Sequence, residues 1–254
     1  MEKPETSILP GQRPRGRGAL QNDAGRFEAS RIVAFEDGWS PPEEQVLRTE
    51  VRLERPRSAL SYNRSPDLPF DRSINPYRGC EHGCIYCFAR PSHALLNLSP
   101  GLDFETKLIA RPGISSILSQ ELRAKSYVPQ VIALGTNTDP YQPIEAKYGV
   151  MREVLQVLAA FGHPVAITTK GTLIERDLDI IAPMAALGLC RVGISLTTLD
   201  GILSRKMEPR AAAPRRRLQV IERLSKAGIP VRAMVAPVIP GLTDHELEPI
   251  LAAA

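Results

Sequence analysis

The chain has 254 residues, 43% hydrophobic and 24% charged, with a formal net charge of +4 at pH 7. That is room for one α/β domain plus an extension, and the balance excludes a disordered or fibrous chain. No basic region followed by an apolar run opens the sequence, and nowhere do about 18 apolar residues run together, so neither a secretory signal nor a membrane span is expected.

Residues 1–70 read as an irregular or flexible extension with eight prolines and little apolar periodicity. Its run Arg13–Gly18 is basic and rich in Gly and Pro, and is expected to be a solvated arm. Residues Gln45–Glu54 alternate weakly and are expected to form one strand. The remaining 71–254 are expected to form the core domain. Its first feature is the segment from Asn75 to Arg90, which carries Cys80, Cys84 and Cys87.

Beyond it, four apolar runs read as buried parallel strands: Val131–Leu134, Val165–Thr169, Val192–Leu196 and Val231–Val235. Between them Val150, Met151, Val154, Leu155, Leu158 and Phe161 recur at helical spacing, closed by Gly162. Thr172 with Glu175, and Thr243 with Glu246, fit the capping box that starts a helix. A further helix runs from Pro214 through Leu218, Ile221 and Leu224 to Gly228. Repeating strand–helix units argue for parallel βα topology, with functional residues at the C-terminal strand ends. The last helix begins near Asp244 and no strand follows it before Ala254, so the barrel is expected to be partial, truncated at its C-terminal end.

Four cysteines, three of them within eight positions and Cys190 far away, argue against a disulfide framework. They point to metal or cluster ligation in a reducing compartment, the cytoplasm by default. The spacing CxxxCxxC lets one loop wrap a cubane and present three thiolates to three irons, with Gly79 and Gly83 relieving the tight turn. Three protein ligands leave a fourth iron open to a cofactor. The alternative is a structural zinc site with His82 or His93 as fourth ligand, although no second ligand doublet is present. Under the cluster reading, His82 is a surface residue or one that supports the ligands from behind. Cys190 opens an apolar strand and is expected to be a buried small hydrophobe.

This cysteine motif, with Tyr86 before the last cysteine and βα units after it, resembles the radical S-adenosylmethionine (SAM) superfamily. The segments Thr138–Glu145 (TDPYQPIE), Thr168–Gly171 (TTKG), Ile194–Thr198 (ISLTT), Glu208-Pro209 and Ala236–Asp244 (APVIPGLTD) are similar to its spore photoproduct lyase-like branch, whose members are often labelled DNA repair photolyases. So is the dense stretch Ser73–Leu108. The resemblance implies a radical SAM-type barrel in which a [4Fe-4S] cluster on Cys80, Cys84 and Cys87 binds SAM and splits it reductively to a 5′-deoxyadenosyl radical. It implies that Tyr86 packs on the adenine, that Thr136 and Thr138 meet the amino end of SAM, that Lys170 faces its carboxylate and that Ser195 bonds the ribose or carboxylate. It also implies a flavodoxin- or ferredoxin-like electron donor.

The substrate and the catalytic residue are not implied. Spore photoproduct lyase returns a hydrogen atom from a cysteine at the end of its second barrel strand, and the matching position here is Thr136, whose hydroxyl is a poor hydrogen-atom donor. A lyase acting on a damaged base remains one alternative, and a non-catalytic zinc or iron–sulfur module another. The basic residues Arg205, Lys206, Arg210 and Arg215–Arg217 could meet nucleic-acid phosphates, but are expected to form a charged loop leading into an exposed helix.

Overall fold

A computed structural model describes residues 16–22 and 47–254. The chain enters through β1 (Glu50–Leu53), β2 (Ser61–Tyr62), β3 (Arg72–Ile74) and β4 (Tyr77–Arg78). After the cysteine loop come α1 (Asp103–Thr106), β5 (Lys107–Ala110), α2 (Ile114–Leu122) and β6 (Ile132–Leu134). The regular βα part continues with α3 (Glu145–Tyr148), α4 (Val150–Ala160), β7 (Val165–Thr169), α5 (Leu178–Ala186) and β8 (Cys190–Ser195). It finishes with α6 (Gly201–Met207), α7 (Pro214–Lys226), β9 (Val231–Met234) and α8 (Leu247–Ala253).

The main sheet has six strands in the order β2-β3-β6-β7-β8-β9. From β3 to β9 every pairing is parallel, and β2 lies antiparallel on the edge. Register aligns Ile74 with Leu134, Leu134 with Ile167, Ile167 with Val192 and Val192 with Val231. All but the edge residue of that row are buried, as expected for strands covered on both faces. Helix α4 covers the sheet with Met151, Val154, Leu155 and Leu158, and α7 with Val220, Ile221 and Leu224; all seven are buried. In α7 the apolar stripe faces inward and most of the arginines outward, the amphipathic pattern of a helix lying on a core. The mixed α/β fold with a parallel sheet agrees with the sequence reading.

Three expectations need correction. The strand foreseen across Gln45–Glu54 is only β1, and it pairs in parallel with β5, which with β4 forms a small second sheet that the sequence did not reveal. Neither capping box forms. Thr172 lies in a 3-10 turn, and Glu175 bonds Arg216 at 2.5 and 2.9 Å and Arg223 at 3.0 Å. Glu246 instead accepts from Thr198 Oγ1 at 2.5 Å and from the Leu199 N–H at 2.6 Å. Charged and buried donors outcompete a local cap for these carboxylates. Finally, Arg17, placed by sequence in a solvated arm, is buried: it donates to the Glu105 carbonyl at 2.8 Å, the Leu47 carbonyl at 2.8 Å and Thr49 Oγ1 at 3.0 Å. Residues 13–15 of that run lie outside the described residues.

Candidate functional site

The cysteine loop follows β3 and β4, at the same end of the sheet as the turns leaving β6, β7 and β8. Its path depends on two left-handed glycines. Gly79 has φ +73°, and a Cβ there would meet Leu108 Cδ2 at 2.6 Å; Gly83 has φ +66°, and its Cβ would meet Glu105 Oε2 at 2.7 Å. Backbone groups anchor the loop throughout. Cys80 N–H donates to the Phe104 carbonyl at 2.9 Å and Cys87 N–H to the Cys84 carbonyl at 3.3 Å. Buried Gln142 clamps the entry, accepting from Glu81 N–H and donating to the Gly79 carbonyl, each at 3.0 Å.

Beneath the loop lies Glu105, wholly buried. It accepts from Gly18 N–H at 2.9 Å, Ala19 N–H at 2.8 Å and Arg90 Nη2 at 2.5 Å. Arg90 in turn donates to the Cys84 carbonyl through Nη2 at 2.9 Å. A chain of hydrogen bonds thus runs from the N-terminal segment through Glu105 and Arg90 to a cysteine of the motif.

All three cysteines are free thiols, Cys80 buried and the other two half-buried. Burial pushes the Cys80 thiol well up, while the backbone N–H groups of Asp139 and His82 pull the other way by donating toward its sulfur. Burial likewise pushes Cys84 up to about 12, against the attraction of Lys170. Thiols this desolvated ionise only when a strong cation binds them, and N–H groups aimed at sulfur favour the ligating thiolate. Three cysteines on one loop are the donor chemistry of an iron–sulfur group, while the described residues hold no group of three His, Cys, Asp or Glu already arranged around a single metal ion. Both histidines considered as fourth ligands to zinc are buried, and Nδ1 of each has no hydrogen-bond partner. His82 is buried with Nδ1 3.3 Å from Asp139 Oδ2, and His93 Nε2 lies 3.0 Å from the Lys107 carbonyl, its ring edge-on to Phe104. His82 is no surface residue.

At the strand ends Asp139 links three elements. It accepts from Thr169 Oγ1 at 2.6 Å, Lys170 N–H at 2.7 Å and Tyr141 N–H at 2.9 Å, besides facing His82. Burial alone would raise its pKa, but neighbouring His82, the Thr169 hydroxyl and the Lys170 N–H hold it at about 2. Glu208, after α6, is the second hub. It accepts from Tyr86 OH, from Arg217 Nη2 and from Thr197 Oγ1 at 3.2 Å, with Lys170 Nζ 3.9 Å away. Burial would raise its pKa, yet Arg217 and Lys170 keep it below the usual carboxylate range.

Of the residues singled out from sequence, Tyr86 and Lys170 meet directly, with the ammonium 5.8 Å from the ring centroid. Ser195 is buried, and its carbonyl accepts from Arg217 Nη1 at 3.0 Å. Thr138 is buried, its hydroxyl donating to the Tyr77 carbonyl at 2.9 Å; Thr136 lies half-buried on the same turn. Arg217, read as part of an exposed basic run, is instead almost wholly buried because Glu208 neutralises it. Sequence reasoning quoted the segments holding Asp139, Gln142 and Glu208 but gave these residues no role. For Asp139 and Gln142 the available signal was a carboxylate or amide in the turn after a buried strand; Glu208 follows a mostly exposed helix and offered none.

Two lines of comparison bear on this arrangement. The family model described as "Radical SAM superfamily" matches residues 74–254. An uncharacterised protein of Mycobacterium tuberculosis is 44% identical over 191 residues, covering 74% of this chain and 56% of its own. One of Methanocaldococcus jannaschii is 26% identical over 174 residues, covering 68% and 62%. Spore photoproduct lyase complexed with dinucleoside spore photoproduct superposes with a TM-score of 0.60 at 16% identity, over 80% of this chain and 56% of that one. A variant of that lyase with bound AdoMet gives 0.59. The chain spans about half the length of the Mycobacterium relative and of the lyase. Among the described residues no helix is long and apolar enough to cross a membrane.

Proposed function

The chain belongs to the radical SAM superfamily, and from that premise we propose that Cys80, Cys84 and Cys87 hold a [4Fe-4S] cluster whose fourth iron stays free for SAM. When bound, the two groups supply a 5′-deoxyadenosyl radical by reductive cleavage of the sulfonium, for hydrogen abstraction from a substrate. The observation that carries this reading is the single anchored loop with three free thiols, set at the strand ends beside Lys170 and Tyr86.

The protein's own part is to position and to neutralise. Lys170 supplies a half-shielded cation for the SAM carboxylate, and Glu208, 3.9 Å from its Nζ, helps to aim it. Tyr86 offers its ring face to the adenine while its hydroxyl is tethered to Glu208. Thr136, Thr138 and Ser195 supply hydroxyls around the amino end and the ribose, and Asp139 fixes the turn that carries the threonines against β7. Because the likeness to spore photoproduct lyase is one of fold, the substrate is left open.

The test is anaerobic reconstitution with iron and sulfide. About four irons per chain, and 5′-deoxyadenosine on adding dithionite and SAM, are expected. A chain that takes up the iron and never cleaves SAM would overturn the enzymatic reading.

A further inference from the structure

The two faces of the main sheet differ in chemistry. The row through Leu134, Ile167 and Val192 packs in the apolar core with α4, α5 and α7. The opposite face carries Ala133, Ala166, Thr168, Gly193 and Ser195, all small or polar. A parallel sheet sealed on both sides reads apolar on both, and this one does not. A Cβ on Gly193 would meet Met234 Sδ at 2.5 Å and Thr168 Oγ1 at 3.5 Å, which sets those two side chains on this second face. Strand alternation then adds Arg191, two positions before Gly193, and Arg232, which pairs with Gly193 across the ladder. Both arginines are exposed, and neither has an ion-pair, hydrogen-bond or ring partner among the described residues. Strand spacing and rise put their Cα atoms about 8 Å apart. Two like charges so placed repel, and an anion held between them relieves the repulsion.

Resting on the radical SAM reading proposed above, we infer that Arg191 and Arg232 hold the oxyanion, phosphate or carboxylate, of a small-molecule substrate that lies along this face. Guanidinium forks bond either group bidentately, with geometry a lone ammonium does not offer. Ser195, placed at the SAM site above, stands on the same face nearer the strand ends and pairs with Met234. It lies two residues, about 7 Å, beyond the level of Arg232 and four residues, about 13 Å, beyond Arg191. A substrate anchored on the arginines therefore reaches the SAM site with the length of a small metabolite. The small residues between leave it room, and Met234 offers it a soft apolar wall. The helices α4, α5 and α7 lie on the other face, the arrangement that makes this one the inside of a barrel. A DNA duplex meets cations on an outer surface; a single small anion meets these.

The experiment measures binding of inorganic phosphate, acetate and a DNA duplex to the iron-free chain by titration calorimetry at low salt. It compares wild type, Arg191→Gln, Arg232→Gln and, as control, Lys125→Gln, an exposed lysine in the turn after α2. At least one of the two anions should bind wild type at one site per chain. Each arginine variant should weaken that binding at least tenfold, and the control should leave it unchanged. Phosphate bound more tightly than acetate assigns a phosphate ester, and the reverse a carboxylate. No saturable binding of either anion, unchanged affinity in either arginine variant, or an equal loss in all three variants would overturn the site. So would a duplex whose affinity falls in the arginine variants while that of both anions does not. These readouts need no iron. A reconstituted chain that never cleaves SAM would end the radical SAM reading, and the titrations would still decide the anion site.

Discussion

Glu208 and Arg217 form an ion pair with both side chains all but sealed from water, 0% and 1% exposed. The same carboxylate holds Tyr86 from the cysteine loop, so one buried anion joins the loop, the end of β8 and the start of α7. Removing one partner leaves the other charged and dry, at a cost of about 3–5 kcal/mol. Arg217→Met should lower the unfolding free energy in urea by that amount, and adding Glu208→Gln should cost less than the sum of the singles. A loss below about 1 kcal/mol for Arg217→Met would show that the pair contributes little.

Gly18 lies against the cysteine loop so closely that an added Cβ would sit 1.8 Å from the Gly83 carbonyl oxygen. Gly18→Val must therefore displace the N-terminal segment from Glu105 and release the support that reaches Cys84 through Arg90. Iron uptake on reconstitution should fall to less than half of wild type, with far-UV circular dichroism unchanged because the α4 and α7 core is untouched. Full iron uptake would mean that the loop keeps its shape alone.

Lys170 is expected to matter for SAM affinity. Deleting a hydrogen-bonding charge costs about 1.5–3 kcal/mol, so Lys170→Met should weaken SAM binding by about 10- to 100-fold. Equilibrium dialysis with the reconstituted protein measures it. Unchanged affinity would assign Lys170 to Glu208 alone.

His163 gives a pH signature remote from the cysteines. Its Nδ1 lies 3.1 Å from the Pro164 carbonyl and so carries the proton, leaving Nε2 to accept from Tyr127 OH at 2.7 Å. Burial and the nearby Arg72 guanidinium lower its pKa from the ordinary 6.5, against the carbonyl contact. The fold thus favours the neutral ring. Its contribution is fully present above about 6.5 and is lost as the pH falls through the lower native value. The urea midpoint should decline between pH 7 and 5, and more steeply in wild type than in His163→Asn. Parallel profiles would remove His163 as the cause.

How much of this could be read from sequence depended on range. The strands β6 to β8 were legible because each is a short apolar run, largely buried, and α4 and α7 because their apolar residues repeat at helical spacing; β9, expected to be buried, is instead an edge strand with no fully buried residue. Cys190 is a buried thiol, as the apolar run around it suggested. The pairing of β1 with β5 was illegible, since four residues such as Lys107–Ala110 carry no periodicity and their partner is more than fifty positions away. The hubs were hidden for the same reason. Nothing local tells Glu208 from a surface glutamate; its role appears only when Tyr86, Lys170 and Arg217 converge on it from three separate segments.

The most direct test of the cluster assignment is iron content after anaerobic reconstitution of Cys80→Ala, Cys84→Ala and Cys87→Ala, with Cys190→Ala as the control. Each of the first three should bind well under half the wild-type iron, while the control binds as wild type does. Wild-type iron in any one of the three would contradict the account.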